Sequence, residues 1–176
     1  MTRRYSGFVT RFQTLPLRWL LSDARNDARL VDALGRLPTG SAFVYRHYHL
    51  SFAQRRARFD VLAAVARAHG HLVILAGDED WGADGHYASH TRHGLRLLAA
   101  HDGPELQRAI RSGADAVFLS PVFPTASHPG SATLGIHGFH VLAQQASLPV
   151  IALGGMTEAS ARALDWPRWG AIDGLA

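Results

Sequence analysis

The stretch from Gly113 to Thr157 constrains the fold more than any other part of the 176-residue chain. It holds two short apolar runs, Ala116–Leu119 and Val150–Leu153, each followed at once by small or turn-forming residues, with a helix-length segment between them. This spacing predicts strand, loop, helix and parallel strand, an arrangement in which functional loops follow the C-terminal ends of the strands. The second run ends on Gly154-Gly155. Paired glycines there let backbone N–H groups approach an anion closely, and a following helix N-terminus adds a favourable dipole. A phosphate site is the first expectation.

The same grammar repeats along the chain. Strands are expected at Leu17–Leu21, Ala42–Tyr48 and Leu72–Ala76, at Gly85 through Ala88, and at Arg96–Ala100, Ala116–Leu119, Val150–Leu153 and Ala171–Leu175. Ser51 with Gln54 forms a capping-box pattern ahead of the stripe Phe52, Phe59, Leu62, Ala63 and Ala66, and that helix is expected to stop near His69-Gly70. Asp102-Gly103-Pro104-Glu105 is a second helix start, with the helix running to Ser112-Gly113; a further helix is expected over Gly138–Ala146, and Thr157 caps another. The segment after Ala76 is too short for a full helix. Gly-Ala-Asp precedes two of the strands, at residues 82–84 and 113–115, with a looser echo at 170–174. Eight strands, most followed by a helix or its remnant, predict a single-domain (β/α)8 TIM barrel over residues 1–176, compact, with shortened or missing helices. An open doubly wound sheet is the runner-up. No helix follows the eighth strand, so either the first residues or a second subunit, as in a homo-oligomer, is expected to cover that seam.

Composition removes several chemistries. There is no cysteine, so disulfides, zinc-thiolate sites and cysteine nucleophiles are excluded. All eighteen basic residues are arginine, which excludes lysine Schiff-base chemistry. The formal charge of +4 is spread along the chain without a recognition motif, so no nucleic acid partner is expected. No apolar run is long enough for a membrane span and the basic N-terminus lacks a signal-peptide pattern, so the expected location is cytoplasmic. Eleven histidines raise a metal reading at His47 with His49 and at His86, His90 and His93. If Arg46 points into the barrel, His47 and His49 point toward the helices, where a structural role is expected.

Residues 113–157 resemble the thiamin phosphate synthase/TenI family, whose members carry a G-A-D strand six, a G-P-V-F-x-T-x-T-K loop, a P-L-G segment and a P-V-x-A-I-G-G-I strand seven. The corresponding residues are Gly113-Ala114-Asp115, Ser120 through His128, Thr133-Leu134-Gly135, and Pro149 through Met156. The form T-x-S-H-P-G is most similar to TenI-like domains fused to Nudix hydrolases. Arg46 takes the place of the arginine in the family's Q-L-R-E-K strand, and Ala99-Ala100-His101-Asp102 resembles the end of its strand five.

The resemblance implies a barrel enzyme of thiamin biosynthesis, a transferase joining hydroxymethylpyrimidine diphosphate to thiazole phosphate with Mg2+. It implies that Gly154, Gly155 and Met156 bind the thiazole phosphate, and that Arg46, Thr125, Ser127 and His128 face the diphosphate. Several positions depart from the family. His128 replaces the loop lysine and Tyr48 the strand lysine; the magnesium aspartate after strand three fits only Asp78, one place displaced; and Ser89-His90-Thr91-Arg92 stands where a second magnesium aspartate is expected. The family's tautomerase branch needs proton transfer and no metal, for which His101 and His128 are candidates. The alternative reading is therefore a divergent TenI-like barrel that binds a thiazole or other phosphate ligand without synthase activity and without a cofactor, in a tautomerase, salvage or regulatory role.

Overall fold

The computed structural model describes residues 15–127 and 129–176. Eight strands, β1 (Arg18–Leu21), β2 (Ala42–Tyr45), β3 (Leu72–Ala76), β4 (Gly85–Tyr87), β5 (Leu95–Ala100), β6 (Ala116–Leu119), β7 (Val150–Ala152) and β8 (Trp169–Ala171), close into a parallel barrel in sequential order. The open doubly wound sheet is thereby overturned. β8 pairs directly with β1, Trp169 opposite Arg18 and Gly170 opposite Trp19, so the seam is closed by the ladder itself. A covering role for the first residues falls on residues 1–14, outside the described residues.

Five α-helices accompany the strands: α1 (Leu30–Arg36), α2 (Phe52–Ala68), α3 (Gly103–Arg111), α4 (Gly135–Ala143) and α5 (Glu158–Leu164). The connections after β3 and β4 carry no helix. Capping chemistry sets the helix starts. Ser51 and Gln54 exchange the two bonds of a capping box at α2, and Asp102 accepts the Glu105 N–H at α3 with Pro104 in the first turn. Four members of the expected α2 stripe, Phe59, Leu62, Ala63 and Ala66, are buried, whereas Phe52 is exposed. α4 begins three residues earlier than the Gly138 start.

The two Gly-Ala-Asp phrases do the same work twice. Asp84 donates its N–H to Val73 O and accepts the Val73 N–H on Oδ2; Asp115 does the same with Arg96. Each aspartate thus fastens the entry of one strand to the start of the preceding one. The third echo behaves differently. Gly170-Ala171 lies inside β8, and Asp173 follows the strand, so the expected strand Ala171–Leu175 is corrected to Trp169–Ala171. The apolar residues Ile172 and Leu175 suggested the later register. The ladder instead selects Gly170, whose missing Cβ leaves room for Trp19.

Side chains alternate as a strand pleat requires. Trp19 and Leu21, Ala42 and Val44, Ile74, Leu97, Ala116 and Phe118, and Ile151 fill the barrel interior. Their neighbours Leu20, Phe43, Tyr45, Val73 and Leu75 face α1 and α2. Phe118 sits at the centre of the interior, with Trp19 edge-on at 5.7 Å and Tyr87 edge-on at 5.3 Å. Phe118→Ala removes a fully buried ring between two aromatic neighbours and is expected to cost about 3–5 kcal/mol. Urea unfolding of the variant measures this, and a loss under about 1 kcal/mol would contradict the assigned interior.

Candidate active site

A cavity of about 700 Å³ opens at the C-terminal ends of the strands. Its wall brings together Arg46, His101, Thr125, Ser127, Gly154, Gly155 and Met156, residues singled out by sequence and separated by up to a hundred positions and more. His128 lies outside the described residues.

The loops after β6 and β7 form one side and are stitched together. Val122 N donates to Leu153 O at 2.9 Å and Phe123 N to Gly154 O at 3.1 Å. Gly154 and Gly155 take φ values of 92° and 63°, in the left-handed region that glycine tolerates. A Cβ on Gly154 would stand 2.7 Å from Pro121 Cα, and one on Gly155 would stand 2.5 Å from Pro124 O. These glycines therefore have a packing role, and a side chain at either position disturbs the loop and the cavity wall together. The Gly154 and Gly155 amides have no hydrogen-bond acceptor among the described residues and stand at the cavity wall. The helix start behind them differs from the expected dipole site. α5 is only seven residues long, and Thr157 and Ser160 satisfy its first turn through a reciprocal capping box. The glycine amides, rather than the helix end, are the available donors.

His101 donates from Nδ1 to Ser120 O at 2.7 Å, since a carbonyl can only accept. In the neutral form of the ring the lone pair is therefore on Nε2. Tyr87, on the β4 end, lines the same cavity; burial pushes its hydroxyl above the usual phenol range, so it remains an O–H donor.

Opposite the glycines, two arginines form the wall. Arg46, one residue past the end of β2, continues the inward series Ala42 and Val44. Its Nε donates to Ser22 O at 2.9 Å and its Nη2 to Asp23 Oδ2 at 2.9 Å. Arg25, which sequence reasoning passed over inside a turn, binds Asp23 Oδ1 from Nε at 3.1 Å and Ser127 Oγ from Nη2 at 2.9 Å. Burial raises the Asp23 carboxyl, yet the Arg25 amide and the Arg25 and Arg46 guanidiniums outweigh it and hold the group below its ordinary range. A second cavity of about 400 Å³ adjoins the first and shares Arg25, Arg46, Ala126 and Ser127 with it.

A relay of hydrogen bonds positions Arg46. β2 ends at Tyr45, not at Tyr48, because His47 adopts φ 41° and turns onto Asp27 and Ser22. His47 Nε2 donates to Asp27 Oδ1 at 2.7 Å, so its Nδ1 accepts from the Ser22 hydroxyl at 2.7 Å, and Ser22 Oγ accepts the Arg46 N–H at 2.7 Å. The His47 ring also stacks on Tyr45 at 4.7 Å. Both ring nitrogens are thus engaged within the protein. His86 Nδ1 is likewise bonded to Gly77 O at 2.9 Å, and among the described residues no group of three His, Asp or Glu side chains is arranged to hold a metal ion.

The Mg2+ implied by the resemblance requires a carboxylate or two beside substrate phosphates. Asp78 does not line the cavity. Its Oδ1 accepts from Ser89 Oγ at 2.5 Å and from His90 N at 2.6 Å, and these bonds, the Ser89 one foremost, lower its pKa. Asp78 therefore ties down the β4–β5 loop where the second magnesium aspartate was expected. Glu79 pairs with Arg55 at 2.5 Å, and Asp173 lies 3.2 Å from Arg29 and 3.8 Å from Arg25. Glu79 keeps one buried oxygen, Oε2, without a hydrogen-bond partner, but neither Asp78 nor Glu79 lines the cavity; the carboxylate that does, Asp173, is paired with arginines, so the donor set at the cavity wall does not fit Mg2+.

Residues 97–165 match the family described as thiamine monophosphate synthase. The chain is 38% identical over 86 residues to a thiamine-phosphate synthase of Chloroflexus aurantiacus, a match covering 47% of this chain and 38% of that one. It is 29% identical over 141 residues to a thiamine-phosphate synthase of Thiobacillus denitrificans, covering 70% and 67% of the two chains. Among solved structures, a thiamine phosphate pyrophosphorylase from Pyrococcus furiosus superposes with a TM-score of 0.75 at 18% identity, over 93% of this chain and 87% of that one. The matched family segment includes the β6 and β7 loops and with them most of the cavity wall.

Burial pushes the His47 pKa down against the pull of Asp27, so the folded protein resists a proton that the unfolded chain accepts near pH 6.5. Stability is therefore full above that value and falls as the pH drops below it. Thermal unfolding at pH 7 and pH 5 is expected to show a lower Tm at pH 5, with a smaller difference in His47→Asn, whose side chain tolerates the positive φ. An equal pH slope in both proteins would remove His47 from this role.

Proposed function

We propose, from the premise that residues 97–165 belong to the thiamin phosphate synthase/TenI family, that the chain joins hydroxymethylpyrimidine diphosphate to thiazole phosphate in the cytoplasm. The observation that carries this reading is the coincidence of the family segment with the loops that build the cavity. In the transfer, the bond between the pyrimidine methylene carbon and the diphosphate oxygen breaks, and the electron pair leaves with diphosphate. The thiazole nitrogen lone pair then forms the new C–N bond, giving thiamin phosphate. No redox step is involved, and the thiazole nitrogen carries no proton to remove.

The protein's contribution is to place the two substrates and to stabilise the charge that develops on the leaving group. The Gly154 and Gly155 amides, with Met156 beside them, suit the thiazole phosphate. Arg46, on the arginine wall, and Thr125 and Ser127, on the β6 loop, line the same cavity and are assigned to the departing diphosphate. His101 presents the Nε2 lone pair and Tyr87 a hydroxyl donor, two polar groups able to orient a heteroaromatic ring between the anion sites. In this reading His101 positions the substrate, because the transfer needs no general base.

The purified full chain, supplied with both substrates, is expected to form thiamin phosphate and diphosphate in equal amounts. The double variant Thr125→Ala with Ser127→Ala is expected to lower kcat/KM by about tenfold or more through two lost hydrogen bonds. Absence of product, with thiazole phosphate still bound in calorimetry, would replace the synthase reading by that of a phosphate-binding barrel.

A further inference from the structure

We propose that Arg25, together with Arg46, supplies the positive charge that holds the diphosphate, so that diphosphate binding does not require Mg2+; this rests on the proposed synthase reading. The first support is the donor set. Asp78, the one carboxylate that sequence offered for a metal, is turned to Ser89 and His90, and Arg92 follows in the loop where a second carboxylate was expected. Asp173, at the cavity wall, faces Arg25 and Arg29.

The second support is the geometry of the two guanidiniums. They converge on one carboxylate, with Arg25 Nε on Asp23 Oδ1 and Arg46 Nη2 on Asp23 Oδ2. Asp23 and Asp173 offset two of the three charges of Arg25, Arg29 and Arg46, leaving the cluster one net positive charge beside the junction of the two cavities. Arg46 Nη1 has no hydrogen-bond partner among the described residues. A guanidinium presents five donors in a planar fork that matches phosphate oxygens, so Arg46 can add a ligand without releasing Asp23.

Arg25 adds a function that Arg46 lacks. Its Nη2 reaches Ser127, on the β6 loop, while Nε stays on the loop after β1. The same side chain therefore carries charge to the cavity and fixes the hydroxyl-bearing loop that borders it. Without Arg25 the wall between the two cavities loses one of its two cations and its cross-link.

The test is calorimetric titration of the full chain with inorganic diphosphate, once in excess EDTA and once with Mg2+. Binding in EDTA within about twofold of that with Mg2+ is expected, and Arg25→Gln and Arg46→Gln are each expected to weaken it by about tenfold or more. Arg25→Lys, which keeps the charge and loses the fork, is expected to fall between wild type and Arg25→Gln. Diphosphate binding that appears only with Mg2+ would overturn the proposal, as would unchanged affinity in Arg25→Gln. The wild-type comparison in EDTA stands even if a variant fails to fold. Product formation with Mg2+-dependent diphosphate binding would sink this proposal and leave the synthase reading intact; EDTA-resistant binding without product would do the reverse.

Discussion

The contact between the loops after β6 and β7 is the constraint on which the site depends. Two backbone bonds, Val122 N to Leu153 O and Phe123 N to Gly154 O, hold the loops at a distance that admits no side chain at Gly154 or Gly155. The same closeness leaves the glycine amides unhindered at the cavity wall. Packing by itself demands glycine at these two positions, and the anion site proposed there makes the same demand. A barrel places such loops side by side because consecutive parallel strands end at the same face.

The opposite wall is held by polar anchoring rather than close packing. Asp27, His47 and Ser22 form a chain of hydrogen bonds that ends on the Arg46 amide. Asp23 then fixes both guanidiniums, and Arg25 carries the connection on to Ser127. Such a network is fully satisfied only when the loops after β1, β2 and β6 are in place together, which couples the shape of the cavity to its charge. Asp78, at the place where the family pattern calls for a metal ligand, is held by Ser89 and His90, while Asp23 orients the two arginines of the cavity wall.

Much of this was legible in the sequence where local chemistry decides the outcome. β3 and β6 have the bounds that their apolar runs predict, since Gly or turn residues flank both. The caps at Ser51, Asp102 and Thr157 were readable because each bond spans three residues. Elements set by distant contacts were not. β2 stops early because Ser22 and Asp27 draw His47 out of the extended conformation, and β8 sits two residues earlier because Gly170 must pass close to Trp19. Most of the cavity residues came from the family pattern, but Arg25 did not. Its partner Ser127 lies 102 residues away, and the one available signal was a basic residue in the loop that follows a barrel strand.

The most direct measurement is a crystal structure of the full chain with thiazole phosphate bound. The phosphate group is expected against the Gly154 and Gly155 amides, with the ring directed toward His101 and Tyr87 and away from the Arg25–Arg46 wall. A phosphate seated on the two arginines, with the glycine amides facing solvent, would contradict it.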